Sequence, residues 1–311
     1  MIEARLTAIR YAARDIRMFE FAKPDASPLP STTPGAHIDL HLANGMVRQY
    51  SLVETGDAPS CYTVAVKREA NSRGGSSFLF DQMKVGSIVS IGKPRNNFPL
   101  DESAAESIFI AGGIGITPVH AMMRRLSTAG RPWSLYYACR TREEMPALEL
   151  MKPAANVHLH LDDEAGGRFL DLGSIVRDAP TGAHLYCCGP LPMLAAFEEA
   201  TREWPSDRVH VEYFAAKDVA KPSGGFKVRL ARSNREYVVP EGQTILQVLR
   251  QAGLDVAFSC EEGICGACET PVLSGIPEHH DAILTEKERA ANDTMMICCG
   301  GAKSDTLVLD L

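Results

Sequence analysis

The first hundred residues alternate short apolar segments with glycine, proline and asparagine. The apolar segments are GAHIDLHLANGMVRQYSLVE, CYTVAVKRE and VGSIVSIGKP, and one helical stretch, SSFLFDQM, interrupts them. Short strands separated by turn-forming residues are typical of antiparallel sheets. The pattern therefore predicts an antiparallel barrel or sandwich in this part of the chain.

The hydrophobic pattern changes near residue 105. A buried apolar strand, SIFIAG, runs into a glycine turn and then into the predicted helix PVHAMMRRLSTAG. Further strands are predicted in WSLYYACR, VHLHL and AHLYCCGP, and LPMLAAFEEATREW has the apolar spacing of an amphipathic helix. Strands that alternate with helices indicate a parallel α/β sheet.

A third segment follows AAKDVAKPSGG, which has the composition of a linker. It contains the predicted strands of FKVRLARSNREYVVP, a helix around TILQVLRQAG, a cysteine-rich loop and a last strand, TLVLDL. No internal repeat is visible. We place the domain boundaries at 1–103, 104–218 and 226–311, with a linker at 219–225.

Four cysteines in the third segment have the spacing C-x4-C-x2-C with a distant fourth, which is the plant-type ligand set of a [2Fe–2S] cluster. Gly263 and Gly266 allow the backbone to curl tightly around such a cluster. Structural zinc sites favour two C-x2-C pairs, whereas this chain has one, and a disulfide pair is the other alternative. The predicted ligands are Cys260, Cys265, Cys268 and Cys298, with 29 residues between the last two.

Two short motifs in the first segment have the chemistry to bind a phosphate. Arg48, Tyr50 and Ser51 end a predicted strand, and R-G-G-S-S, from Arg73 onward, opens a helix. Glycines before a helix N-terminus leave backbone N–H groups free for a phosphate, and an arginine adds a charged donor. The alternative interpretation is an edge-strand fragment and a simple turn.

A glycine-rich turn, G-G-I-G-I-T-P, follows a strand and precedes a helix, which is the place for a dinucleotide pyrophosphate. Thr117 and Pro118 stand where the usual fingerprint has its last glycine, and Arg140, instead of a lone carboxylate, ends the next strand. Arg140 would either stack beneath adenine or contact a 2′-phosphate, so NADH and NADPH both remain open. Cys188 begins a C-G-P turn after another strand, and a buried core thiol is the alternative for it.

In combination, R-x-Y-S, G-G-I-G-I-T-P and C-G-P are similar to the ferredoxin–NADP reductase superfamily. With R-G-G-S and a C-terminal plant-type ferredoxin module, the whole chain resembles the phthalate dioxygenase reductase and vanillate O-demethylase reductase family. The resemblance implies an antiparallel β-barrel flavin domain, an α/β parallel-sheet NAD-binding domain and an α+β (β-grasp) ferredoxin domain. It also implies an NADH-dependent reductase component that passes electrons through FMN and a [2Fe–2S] cluster to a Rieske-type oxygenase. The substrate of that oxygenase would be an aromatic or related small molecule.

The resemblance also implies roles for individual residues. Ser51, Cys188 and Thr117 are expected at the reacting centre. The expected flavin residues are Arg48, Gln49, Tyr50, Ser51, Val66, Lys67, Arg73, Gly74, Gly75, Ser76 and Phe214, although a core phenylalanine is the alternative for the last. The expected nicotinamide-nucleotide residues are Gly113, Gly115, Thr117, Arg140, Cys188, Gly189 and Pro190. Two alternatives remain open: an FAD-containing reductase of a di-iron hydroxylase, and a non-enzymatic redox sensor.

Composition narrows the function classes. The chain has 311 residues, 45% of them hydrophobic, and a net charge of −7, which argues against non-specific nucleic-acid binding. No apolar run is long enough to cross a bilayer, and nine cysteines without a secretory signal indicate the cytoplasm. We interpret His279-His280-Asp281 as a solvated loop. The acidic residues Glu261, Glu262 and Glu269 either steer a partner or form an ordinary solvated surface.

Overall fold

The computed structural model describes residues 1–70, 74–146, 155–215 and 224–311. The chain forms two compact units, Met1–Phe214 and Ala215–Leu311. The predicted linker at 219–225 lies outside the described residues as far as residue 223, so the boundaries proposed from the sequence stay predictions.

A six-stranded antiparallel sheet forms the first part of unit Met1–Phe214. Its strands are β1 (Ile2–Ala13), β2 (Ile16–Ala22), β3 (His37–His41), β4 (Val47–Ser51), β5 (Tyr62–Lys67) and β6 (Ile88–Ile91), and a short helix, α1 (Gly75–Asp81), follows β5. The strand order is β4-β3-β6-β1-β2-β5. An antiparallel bridge between Leu52 and Val64 joins the two ends of this order, so the sheet closes. The predicted antiparallel barrel is confirmed.

The twelve-residue strand β1 is one of the elements that the sequence pattern did not reveal. Its segment carries charges throughout, but Ala4 and Leu6 are fully buried while Glu3 and Arg5 between them are exposed. Buried and exposed residues alternate here, so the core covers one face of β1, and pairing with β2 and β6 makes it a central strand. Alternating charge is therefore compatible with a central strand here.

A five-stranded parallel sheet forms the rest of this unit. Its elements are β7 (Ser107–Gly112), α2 (Ile116–Thr128), β8 (Trp133–Cys139), β9 (Val157–Leu161), α3 (Leu172–Asp178), β10 (His184–Cys188), α4 (Leu191–Ala200) and β11 (Val209–Glu212). The order β11-β10-β7-β8-β9 confirms the predicted α/β sheet. Helix α4 ends four residues before the predicted segment does, where Thr201 Oγ1 donates to the Phe197 carbonyl at 2.8 Å.

The barrel and the parallel sheet share one hydrophobic core. Ile16 and Val53 from the barrel pack in the same cluster as Met122 and Tyr137 from the α/β part. His120 on α2 also bonds through Nδ1 to the Val53 carbonyl at 3.0 Å. The relative position of the two folds within Met1–Phe214 is therefore fixed by buried side chains.

Unit Ala215–Leu311 has a mixed sheet with a covering helix, the predicted α+β (β-grasp) class. Its elements are β12 (Phe226–Leu230), β13 (Arg235–Val239), α5 (Ile245–Gln251), β14 (Glu269–Ser274), β15 (Pro277–Glu278), α6 (Glu286–Ala291), β16 (Thr294–Met296), β17 (Gly301–Ala302) and β18 (Thr306–Leu309). The larger sheet has the order β13-β12-β18-β14-β16, and β15 pairs with β17. Helix α5 begins with a capping box between Thr244 and Gln247 and buries Leu246 and Leu249 in the core.

Across the part of the chain that the structure describes, no helix combines the length and the apolar character needed to cross a membrane.

Candidate functional site

Arg48 and the start of helix α1 lie side by side at one end of the barrel. A Cβ atom at Gly75 would stand 2.6 Å from Arg48 Nε, so only glycine allows this approach. Gly74 precedes the helix with φ of 100°, a left-handed conformation that favours glycine. The arrangement brings a guanidinium beside backbone N–H groups at a helix start, which is suitable for a phosphate. Arg73, predicted to join this site, lies outside the described residues.

Other predicted phosphate and flavin residues flank this position. Ser76 lies in the first turn of α1, and its Oγ accepts from the backbone N of Glu69 at 3.2 Å. Val66 is 1% exposed at the end of β5 and therefore belongs to the barrel core. Lys67, the last residue of β5, extends toward Glu144, with 3.9 Å between Nζ and Oε2.

Strand β4 divides its predicted residues between two faces. Arg48 and Tyr50 alternate with Gln49 and Ser51, as a strand requires. Burial raises the pKa of Tyr50 well above its usual range, although Arg48 lowers it slightly, so the phenol is neutral and suited to packing on a ring. Ser51 is buried opposite His37.

Gln49 is held by a buried carboxylate that sequence reasoning missed. Its Nε2 donates to Asp39 Oδ1 at 3.0 Å, and Arg95 donates to both oxygens of Asp39 at 2.8 and 2.9 Å. The structure therefore brings Gln49 to Asp39 and Arg95 and leaves Arg48 on the other face. The pairing joins β3 to the loop after β6, and no local sequence pattern reports it.

The parallel sheet reverses its winding between β7 and β10, because the chain proceeds from β7 to β8 and β9 on one side and to β10 and β11 on the other. In open α/β sheets, ligands bind at the carboxyl ends of the strands at such a switch point. The predicted turns G-G-I-G and C-G-P follow β7 and β10, so the topology places both at this point.

Close packing of these two turns depends on their glycines. A Cβ atom at Gly115 would stand 2.2 Å from the carbonyl oxygen of Cys188 and 2.9 Å from the nitrogen of Gly189. A Cβ atom at Gly112 would stand 2.6 Å from Pro190 Cδ. The two turns therefore pack directly against each other, and a Cβ atom built at Gly113 would have nothing within 4 Å.

Thr117, predicted at the reacting centre, has a local partner. It is 2% exposed, and its Oγ1 donates to the Ile114 carbonyl at 3.0 Å. Tyr137 similarly donates to the Gly113 carbonyl at 3.0 Å from below the loop. In this structure Thr117 fastens the glycine turn to the start of α2, and a direct chemical role for it stays a prediction.

Cys188 pairs with a carboxyl group that the sequence analysis did not select. Its thiol donates to Glu212 Oε2 at 3.9 Å, and the two residues occupy paired positions of β10 and β11. The Glu212 residue keeps some surface, but its carboxyl group is enclosed, and burial raises its pKa to about 8 despite the thiol bond, which lowers it. Burial first, and Glu212 second, raise the pKa of Cys188 well above its usual range. The sequence signal that could have pointed to Glu212 is the occurrence of a carboxylate within the largely apolar segment HVEYF.

Phe214 and Arg140 are both on the surface. Phe214 is 41% exposed two residues after β11, so the alternative of a core phenylalanine does not hold. Arg140 is exposed directly after β8, at the same edge of the sheet as the two glycine turns. Both remain available to a ligand.

The four predicted cluster cysteines converge in the second unit. Cys260 is partly exposed, whereas Cys265, Cys268 and Cys298 are between 2% and 4% exposed. The backbone N of Cys260 donates to Cys265 Sγ at 3.4 Å, and that of Glu262 donates to Cys260 Sγ at 3.3 Å. Backbone donors directed at sulfur are suited to thiolates that carry charge.

Hydrogen bonds between the sulfurs shift the pKa values of the four thiols in opposite directions. The bond from Cys265 lowers the pKa of Cys260, and the bond from Cys298 lowers that of Cys268. The pKa values of Cys265 and Cys298 are raised, each chiefly by a hydrogen bond with Cys260. Four thiolates in one place need a positive centre, so this donor set fits an iron–sulfur cluster. No three histidine, cysteine or carboxylate side chains in the described ranges are arranged around a single metal ion.

Cys299 differs from Cys298 in its surroundings. Its thiol donates to the Met296 carbonyl at 3.8 Å, and a Cβ atom at Gly263 would stand 2.6 Å from its Sγ. It therefore packs against the cysteine loop and bonds to Cys298, whereas Cys298 also bonds to both Cys260 and Cys268. The contacts favour Cys298 as the fourth ligand.

The interpretation of His279-His280-Asp281 as a solvated loop is wrong. The side chains of His279 and Asp281 are 8% and 1% exposed, and Asp281 Oδ2 accepts from the backbone N of Ile283 and Leu284 at 3.1 and 2.8 Å. The next residue, Ala282, donates its N–H to the Gly263 carbonyl at 2.9 Å. This segment is therefore buried and packs against the cysteine loop. Its burial comes from contacts with residues distant in the sequence, which the local pattern does not show.

Three family models match the chain in the order of its folds. They are an oxidoreductase FAD-binding domain over residues 3–99, an oxidoreductase NAD-binding domain over residues 109–199, and a 2Fe-2S iron-sulfur cluster binding domain over residues 228–303. The fold and these domains define a flavin- and NAD-linked iron–sulfur oxidoreductase. The predicted cofactor classes are confirmed at this level.

Full-length relatives identify the family. The chain is 48% identical over 311 residues to phenoxybenzoate dioxygenase subunit beta of Ectopseudomonas oleovorans, covering 100% of this chain and 97% of the relative. It is 40% identical over 317 residues to vanillate O-demethylase oxidoreductase of a Pseudomonas species, covering 100% of each. The solved structure of phthalate dioxygenase reductase matches with a TM-score of 0.73 and 36% identity, covering 100% of this chain and 98% of that one. The chain belongs to the phthalate dioxygenase reductase and vanillate O-demethylase reductase family.

Proposed function

We propose that this chain is the reductase component of a Rieske-type oxygenase system. It takes electrons from NADH and delivers them, through FMN and a [2Fe–2S] cluster, to a separate oxygenase. That oxygenase acts on an aromatic or related small molecule.

One observation carries the proposal: a nucleotide-binding switch point and four convergent cysteines occur in one chain with a flavin-type barrel. NADH donates two electrons together, whereas a [2Fe–2S] cluster accepts one at a time. A bound flavin would link the two, which neither NADH nor the cluster can do alone. The protein's part is to bind and orient these groups. The G-G-I-G and C-G-P turns would hold the dinucleotide, and the four cysteines would hold the cluster.

FMN is proposed as the flavin because the barrel offers a terminal phosphate site. Arg48 and the N–H groups at the start of α1 form that site, with Gly75 admitting the guanidinium. The domain model that matches this region is named for FAD, so the flavin itself needs a direct measurement. Mass spectrometry of the heat-released flavin identifies it. Detection of FMN supports the proposal, and detection of FAD contradicts the assignment of FMN.

A variant pair tests the phosphate site. Arg48→Leu should lower flavin content at least severalfold, because a charged donor to the phosphate is lost. Arg10→Leu, in which the exposed Arg10 loses its ion pair with Glu20, is the matched control and should keep full flavin content. Equal flavin content in both variants would assign the phosphate to other residues.

The partner is proposed to be a Rieske-type oxygenase. The relatives that match over the full length include proteins named as dioxygenase and O-demethylase components, and they favour neither a di-iron hydroxylase reductase nor a non-enzymatic sensor. None of the nine cysteines forms a disulfide, which supports a reducing compartment such as the cytoplasm.

Anaerobic titration with NADH tests the activity. Bleaching of both the flavin and the cluster absorbance is expected, and an unchanged spectrum contradicts the proposal. The reduced protein should then reduce a purified Rieske-type oxygenase faster than it reduces a di-iron hydroxylase. Preference for the di-iron protein would keep the reductase activity and overturn the partner.

A further inference from the structure

The chain segments that follow β8 and β9 are bonded to each other at the carboxyl edge of the parallel sheet. The backbone N of Asp162 donates to the Cys139 carbonyl at 3.0 Å, and that of Asp163 donates to the Arg140 carbonyl at 3.1 Å. The ladder between the two strands therefore continues past their ends. It brings Asp162 and Asp163 to the end of β8, where the sequence itself has Arg140 and no acid.

A tight turn holds Asp162 in this place. The Ala165 N–H donates to the Leu161 carbonyl at 2.9 Å, and the Gly167 N–H donates to the Asp162 carbonyl at 2.7 Å. Gly166 and Gly167 have φ of 66° and 80°, which glycine adopts without strain. The Asp162 side chain is 26% exposed, so its carboxylate is fixed but accessible.

In doubly wound sheets, the adenosine half of a dinucleotide lies at this edge. The switch point lies between β7 and β10, and β8 is the next strand on the other side of β7. A nucleotide whose pyrophosphate rests on the turn after β7 extends its ribose over the end of β8. Asp162 and Asp163 stand at that end through their bonds to Cys139 and Arg140.

Several cations near this edge are already held in ion pairs. Arg142 pairs with Glu164 at 3.1 Å, and Arg14 pairs with Glu143 at 2.8 Å and Glu144 at 3.1 Å. The pKa of the Cys139 thiol is raised to about 11, by burial first and then by the carboxylates of Glu144, Asp162 and Asp163.

His160 gives Asp162 little compensation. Its Nε2 lies 2.7 Å from the Arg168 carbonyl, which requires the ring to donate there, and 3.6 Å from Asp162 Oδ1. Arg140 follows β8 directly, and Arg168, whose Nε donates to the Ala165 carbonyl at 3.1 Å, lies in the turn that holds Asp162. These two guanidinium groups equal the two aspartates in number, so no excess positive charge is left for a phosphate dianion.

We propose that Asp162 and Asp163 select NADH over NADPH, with Asp162 accepting a hydrogen bond from the adenosine ribose and both carboxylates repelling a 2′-phosphate. This inference rests on the proposed function, because it assigns residues to its nicotinamide nucleotide. It also assigns Arg140 to the adenine ring and not to a 2′-phosphate.

Rapid-reaction measurements of flavin reduction in the flavin- and cluster-loaded protein test the proposal. Wild type should have a kcat/KM for NADH at least about a hundredfold above that for NADPH, from two repelling charges at roughly tenfold each. Asp162→Asn and Asp163→Asn should each lower this ratio about tenfold, mainly through the KM for NADPH. Asp178→Asn, at the end of α3, is the control and should leave the ratio within twofold.

A binding measurement separates recognition from electron transfer. Competition by 2′,5′-ADP should strengthen about tenfold in Asp162→Asn, whereas competition by ADP should weaken or stay constant. Arg140→Ala should weaken both nucleotides alike, since stacking on adenine does not distinguish them.

The outcomes separate this inference from the activity itself. Wild type that accepts NADPH as readily as NADH, or an unchanged ratio in the Asp162→Asn, Asp163→Asn double variant, overturns the selection role and leaves the reductase function standing. Flavin that neither nucleotide reduces overturns both.

Discussion

The Cys188 thiol donates a hydrogen bond to the carboxyl group of Glu212 across two neighbouring parallel strands, with 3.9 Å between Sγ and Oε2. Both groups are enclosed at the switch point, beside the turn that follows β10. A carboxyl group with a pKa of about 8 in the folded chain carries its proton at neutral pH. The pair is therefore a neutral, polar contact where the nicotinamide is expected.

The raised pKa of Glu212 predicts a pH-dependent stability. The folded chain binds this proton more tightly than the unfolded chain, so the stabilisation is complete below the ordinary pKa and is lost as pH rises through about 8. Between these limits the free energy of unfolding should fall by about 1.4 kcal/mol per pH unit from this group. Glu212→Gln should remove that slope.

Urea unfolding at pH 5.5 and 7.5 measures the effect. Tryptophan fluorescence reports the first unit alone, because Trp133 and Trp204 are the two tryptophans of the chain. The Glu212→Gln profile should depart from wild type by about 2–3 kcal/mol between the two pH values, whereas exposed Glu3→Gln should follow wild type. Parallel profiles for Glu212→Gln and wild type would show that this carboxyl titrates normally.

The two adjacent cysteines near the C-terminus should differ in their effects. Cys298→Ser should abolish or badly reduce the iron and acid-labile sulfide content, because Cys298 bonds to Cys260 and Cys268. Flavin reduction by NADH should survive. Cys299→Ser, the matched control, removes a thiol that bonds to the Met296 carbonyl and should retain the cluster. If Cys299→Ser is the damaging change, the fourth ligand is assigned to the wrong residue.

Gly115→Ala should disrupt the contact between the two turns at the switch point. The added methyl would meet the Cys188 carbonyl at 2.2 Å, a distance that only a backbone shift can relieve. Overpacking of this kind costs about 1–3 kcal/mol, and the shift should raise the KM for NADH severalfold. Gly56→Ala has nothing within 4 Å of the new Cβ and should behave as wild type. Similar KM values in the two variants would argue against direct packing of the two turns.

Asp39→Asn should destabilise the barrel. The Asp39 carboxylate is 6% exposed and accepts both Arg95 bonds, so the change leaves a partly buried guanidinium without its counter-charge. We expect a loss of about 2–3 kcal/mol, less than for a fully buried pair because Arg95 is 31% exposed. Urea unfolding measures it, with exposed Asp57→Asn as the control. A loss below about 0.5 kcal/mol would show that the pair contributes little.

Local patterns predicted most of the elements and several site positions. Strand-turn-helix signals placed G-G-I-G-I-T-P correctly after β7, and cysteine spacing selected a set whose sulfurs do converge. These signals are visible because hydrophobic period, glycine and cysteine spacing act within a few residues. Strand β1 was not predicted, because the charged residues on its exposed face hide the alternation with its buried face. Its central place in the sheet depends on pairing with β2 and β6, which the local sequence does not show.

By itself, the sequence determined the three fold classes, the order of the motifs and the ligand types, since each depends on neighbours in the chain. Only the tertiary structure decided which distant groups meet. The pairs Cys188 with Glu212, Asp39 with Arg95, and Asp162 with the end of β8 arise from strand order and register. The burial of Asp281 behind the cysteine loop has the same origin. Burial and charge depend on what lies across the fold, so these contacts, and the pKa shifts that follow, exist only once the sheets are assembled.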